Sequence, residues 1–137
     1  MAAPMNEKPK VVFTRQSAYQ PGAQIASTTQ PSVAATYTQA RVASGDLVTE
    51  IERLKQEPGD YILAQGGVEF GRSLVPSGLI DEYRFAVLPV VLGSGEGLFT
   101  GLQEELDLEL VSSTAFSGGA MGSVYRPKIQ TAIEYLV

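Results

Sequence analysis

Residues 80–92 read IDEYRFAVLPVVL, and no other stretch limits the possible folds so tightly. Tyr83, Phe85 and Val87 alternate with Arg84, Ala86 and Leu88, which is the period of a β-strand. The run is too short for a membrane span and too β-branched and aromatic for an easy helix. Pro89 has no N–H to give to a ladder, so a bulge or a sheet edge is expected near it. A chain with this strand must supply partners for it, and the other apolar segments are read with that need in mind.

Lys10 to Arg15, KVVFTR, predicts a first short strand. Leu47, Val48, Ile51 and Leu54 fall on one face of a helix over 46–56, with Asp46 as its N-cap and Pro58-Gly59 as its stop. Tyr61 to Ala64 is short, apolar and bounded by turn residues, as a buried strand would be. Residues 68–75 predict a second helix, ended by Pro76 and Gly78. Leu106, Leu108 and Leu110 alternate with Asp107 and Glu109, the pattern of a half-exposed strand. Gly118-Gly119 turns the chain into a last strand from Ala120 to Arg126. Residues 127–137 fit either a strand or a helix. Residues 16–40 are rich in Gln, Ala, Ser, Thr and Pro and read as a long loop or poorly ordered insert. Residues 1–9 read as a mobile lead-in. The order argues for an α/β protein with mixed strand directions in a single domain over 1–137.

Composition removes several kinds of chemistry. The 137 residues include no cysteine, no histidine and no tryptophan. Disulfides, thiol nucleophiles, Ser-His triads and the usual zinc or iron sites are excluded with them. The net charge is −5 and the charges are interspersed, so nucleic acid is not an expected partner. No apolar run approaches a membrane span, and the first residues lack the apolar core of a secretory signal, so the expected location is cytoplasmic.

The expected first helical turn of 68–75 follows directly on Gly66-Gly67. One reading is plain geometry, a tight strand-to-helix turn. The other is an anion cradle: glycine lets a phosphate approach the unpaired N–H groups of Val68 and Glu69 with no Cβ in the way. Glu69 would then have to point away. The second cluster, Gly93-Ser94-Gly95-Glu96-Gly97, lacks the Lys-Ser/Thr of a phosphate loop and reads as a turn. Thr14-Arg15 closes the first strand and could clamp a phosphate or be a solvated end.

The run GGVEFGRSLVPSGLIDEYRFAVLPVVLGSGEGLF resembles the reductase domain of riboflavin biosynthesis, the dihydrofolate reductase-like "RibD C-terminal" family. The matching blocks are LAQGG, SLVPSGLIDEY and PVVLGSGEGLF, joined by KVVFTR and SGDLVTEIERLKQEPGDYIL. Together they cover residues 10–15 and 41–126. The resemblance implies a three-layer, dihydrofolate reductase-like mixed sheet and an NADPH-dependent reductase. It places Thr14 and Arg15 near the cofactor's 2′-phosphate. It places Ala64, Gln65, Gly66, Gly67, Val68 and Glu69 along the pyrophosphate and nicotinamide. The substrate implied is a small heterocyclic, carbonyl or imine compound. No catalytic acid stands out; Asp81, Glu82 and Tyr83 are nearest by sequence.

The chain departs from the family by lacking its first strands, which normally lie inside the sheet and form much of the substrate pocket. Free sheet edges and an uncovered apolar face are the expected result, with a homodimer as compensation. The alternative to a reductase is a truncated, non-catalytic homologue that binds nucleotide weakly or serves as an interaction module.

Overall fold

Asp46 fixes where the first helix begins. In the computed structural model, which describes residues 7–21 and 40–128, its backbone is extended (φ −67°, ψ 156°) and its carboxylate accepts from the Thr49 N–H at 3.1 Å. That satisfies one of the helix's orphan donors. Helix α1 then runs Leu47–Gln56 and closes when the Glu57 N–H returns to the Leu54 carbonyl. Leu47, Ile51 and Leu54 are half-buried on one face.

The chain divides into two compact units, Met1–Asp60 and Tyr61–Val137. In the first, β1 (Val11–Val12) lies parallel to β2 (Arg41–Val42), in the register Val11 to Arg41 and Val12 to Val42. Two backbone bonds hold the pair, Arg41 N to Lys10 O at 3.0 Å and Ala43 N to Val12 O at 2.9 Å. Glu50 ties this pair to α1. Its buried carboxylate accepts from Arg41 at 3.1 Å and from Arg53 at 2.8 Å. Arg53 and then Arg41 hold its pKa below the ordinary glutamate value. The first strand is thus shorter than KVVFTR suggested, and Thr14-Arg15 lies beyond it. β2 had no apolar run to announce it.

The second unit contains α2 (Val68–Leu74), which tightens into a 3₁₀ turn over Val75–Ser77. Gly78 ends the run in the left-handed region at φ 69°, where glycine has no Cβ penalty. The Ser77 hydroxyl donates to the Leu74 carbonyl at 2.6 Å and accepts from the Leu79 N–H at 3.3 Å. Three antiparallel strands follow, β3 (Tyr83–Val87), β4 (Leu108–Ala115) and β5 (Met121–Pro127), in the order β3-β5-β4. The β4–β5 hairpin turns at Gly119 (φ 80°), which donates to the Phe116 carbonyl at 2.9 Å. Parallel and antiparallel pairings are both present, as a mixed α/β fold requires, but in separate sheets among the described residues.

Two expected strands differ. Tyr61 to Ala64 forms no strand, and Tyr61, Ile62 and Leu63 are exposed. A buried strand needs a neighbour on each side, and no described strand pairs with this segment. The strand read over 80–92 stops at Val87. Beyond it Pro89 withholds an N–H, and a tight turn returns the Val90 N–H to the Leu88 carbonyl at 2.8 Å. Residues 22–39 of the 16–40 segment, residues 1–6 of the lead-in and residues 129–137 of the last element lie outside the described residues.

Leu74, Val75 and Tyr83 are the buried apolar residues of the second unit. Tyr83 meets Phe99 at 5.8 Å between ring centroids and Phe85 at 6.1 Å, and Phe85 meets Tyr125 at 6.1 Å. Leu74 is 4% exposed. Leu74→Ala is expected to lower unfolding stability by about 2–5 kcal/mol, read from a urea midpoint. A loss under about 0.5 kcal/mol, typical of a surface site, would show that this contact is not the core.

Candidate functional site

The start of α2 is built from residues that leave its backbone open. Gly66 has an internal reason to be glycine, since a Cβ there would stand 2.8 Å from the Phe70 ring. Gly67 has none. It caps the helix with an ordinary φ of −72°, and a Cβ at that position would meet nothing within 4 Å. No side chain caps this helix end. Neither glycine has a positive φ. The tight-turn reading therefore does not require a glycine at 67, whereas close approach of an outside group would benefit from one. Val68 is half-buried; Ala64, Gln65 and Glu69 are exposed.

Thr14 and Arg15 belong to the first unit. The Thr14 hydroxyl accepts from the Gln16 N–H at 3.1 Å, and Arg15 is exposed. The residues expected to hold a 2′-phosphate and those expected to hold a pyrophosphate thus lie in different units.

Arg72, one turn further along α2, was not visible as a functional residue in the sequence. Its Nε donates to the Gly97 carbonyl at 2.9 Å and its Nη1 to Glu96 at 3.2 Å. These bonds pin the second glycine cluster against the helix. Gly93 and Gly95 have φ of 75° and 151°, so the cluster is a turn whose acid is already paired. Beside it lies a cavity of about 40 Å³, lined by Arg72, Val75, Pro76, Leu98, Phe99 and Thr100 among others. It has room for water, not for a heterocycle, whose sites span several hundred Å³.

The three nearest acid candidates separate by environment. Glu82 accepts from Arg84 at 2.6 Å and from Arg126 at 3.1 Å, and those two guanidiniums hold its carboxyl below the usual range. It stays ionised at neutral pH. Tyr83 is buried, and burial pushes its phenol up, so it stays protonated in the core. Asp81 is exposed at the approach to β3. Among the described residues no group of three or more acidic side chains is arranged to hold a metal, and no helix is long and apolar enough to cross a membrane.

One family model matches most of the chain. Residues 1–121 match the RibD C-terminal domain. The uncharacterized protein YyaP of Bacillus subtilis (strain 168) is 34% identical over 87 residues, 64% of this chain and 46% of that protein. The uncharacterized protein YwjB of the same organism is 44% identical over 64 residues, 47% of this chain and 37% of that protein. The chain spans less than half the length of either relative. A crystal structure from Shewanella sp. PV-4, of a protein provisionally named for riboflavin biosynthesis, has a TM-score of 0.69 at 22% identity. It covers 90% of this chain and 62% of the other, and the likeness is one of fold.

The Glu82 clamp has a pH signature. Its folded-state pKa lies below the unfolded value of about 4.3. The carboxylate therefore adds stability above that unfolded value and loses it as pH falls through the lowered folded one. Glu82→Gln is expected to reduce the melting temperature at pH 7 and to change it little at pH 2.5. An equal reduction at both pH values would show that charge pairing is not what Glu82 contributes.

Proposed function

The chain belongs to the RibD C-terminal domain family, and on that basis we propose that it is a reductase of the riboflavin-biosynthesis type that uses NADPH. Its substrate class is a small heterocyclic, carbonyl or imine compound, and its setting is the cytoplasm. The observation that carries the cofactor assignment is Gly67, a glycine that the chain's own packing does not need. In this reading the N–H groups of Val68 and Glu69 face the pyrophosphate, with Ala64, Gln65 and Gly66 forming the approach. Arg15 and the Thr14 hydroxyl recognise the 2′-phosphate that distinguishes NADPH from NADH. Bound NADPH supplies a hydride, and the protein's share is to hold donor and acceptor in line.

A second reading, nucleotide binding without turnover, is supported by the state of the nearest acids. Glu82 is committed to two arginines, and Tyr83 is in the core.

A thermal melt with and without nucleotide tests the cofactor site. Ligand at ~100 times its dissociation constant adds about 2.7 kcal/mol to the folded state, on the order of 10 °C for a chain of this size. NADPH is expected to raise the melting temperature and NADH to do so much less. Gly67→Val is expected to leave the unliganded melt unchanged and to abolish the shift. A melt indifferent to NADPH would overturn the assignment. A shift without NADPH oxidation across a panel of carbonyl and imine substrates would select the second reading.

A further inference from the structure

The apolar segment Tyr61 to Ala64 stands open. Residues 55–67 are all exposed, and within them Tyr61 is 88% and Leu63 74% exposed. Tyr61 to Gln65 lie in no helix or strand and form no backbone hydrogen bond with another described residue. None of them has a positive φ, so nothing in their backbone opposes an extended form. The boundary between the two compact units falls at the start of this stretch, between Asp60 and Tyr61. Other exposed apolar side chains are held differently. Leu92 is 82% exposed, but Gly93 directly after it takes a left-handed φ of 75°. Leu88 leads into Pro89, whose ring and missing N–H obstruct the next bond. Phe116 sits in the hairpin turn, where its N–H donates to the Ala120 carbonyl and its carbonyl accepts from Gly119, each at 2.9 Å. Val87 and Leu110 are in ladders.

We infer that Tyr61–Ala64 is an endoproteolytic site, cut after Tyr61 or Leu63 by a protease whose primary pocket takes a large apolar side chain. Such an enzyme must reach the backbone and pair with it as an added strand, and here the N–H and C=O groups are available without any local opening. It must also seat one side chain in a deep apolar pocket, and Tyr61 and Leu63 offer theirs outward. The contact of the Tyr61 ring with the Arg84 guanidinium, 5.8 Å from the ring centroid, leaves most of the ring accessible. The reaction is hydrolysis. Water adds across the peptide bond, leaving a carboxylate on Tyr61 or Leu63 and a free amine on Ile62 or Ala64, and no other reactant is needed. The cut falls at the unit boundary, so Thr14 and Arg15 go to one product and Gly66 and Gly67 to the other.

This inference does not depend on the reductase reading, because it is tested without nucleotide. The full chain is treated with a trace of chymotrypsin, and the products are followed by intact mass. Among the described residues, the first cut is expected after Tyr61 or Leu63. A chain that had to unfold before cleavage would be cut at Phe85, Phe99 and Tyr125 at similar rates, and that result would overturn the inference. So would survival of the 61–65 stretch while any other described bond is cut. The double variant Tyr61→Ser, Leu63→Ser removes the two side chains that fill the pocket. Because both are exposed, the variant is expected to keep the native circular dichroism spectrum. Its cleavage within 61–65 is expected to be slower by about tenfold or more. An unchanged rate would show that these side chains are not what the protease reads, and would also overturn the inference.

Discussion

Everything described in the second unit depends on β5 having a partner along each side. β3 and β4 both hydrogen-bond to it and, among the described strands, to nothing else. A two-stranded hairpin alone would be marginal, and the third strand gives the sheet a face on which rings can gather. Ser123 is buried in the middle of β5, opposite Phe85 on one side and Ser113 on the other. Its small side chain leaves room for the larger rings beside it. Tyr83 and Phe85 stack on each other, both meet Phe99 at an angle, and Phe85 also meets Tyr125; this cluster with Leu74 and Val75 forms what core the unit has. Helix α2 itself contributes one buried residue, Leu74.

The local devices were readable in the sequence because they act within a few residues. Asp46 bonds to Thr49, Gly78 takes a left-handed turn, and the alternation in 83–87 finds its ladder. Segments that failed were those whose outcome depends on a distant neighbour. Tyr61 to Ala64 has the composition of a buried strand but no strand alongside it. Leu88 to Leu92 has the composition of a continuing strand, and Pro89 interrupts the ladder. β2 is two residues long and carries an arginine, so nothing in its pattern separates it from a loop.

The site divides in the same way. The glycine pair at the start of a helix was legible. Arg72 was not. Its partners lie 24 and 25 residues away, beyond any local pattern. Glu82 stands two residues from Arg84, but its second arginine is 44 residues on. The sequence could therefore show an acid beside a base, not that the acid was enclosed by two of them.

Glu50 in the first unit repeats that enclosure, with Arg41 and Arg53 in place of Arg84 and Arg126. Both carboxylates are held ionised, the buried phenol of Tyr83 is held neutral, and the chain has no histidine or cysteine. Such a molecule has few side chains able to trade a proton near neutral pH.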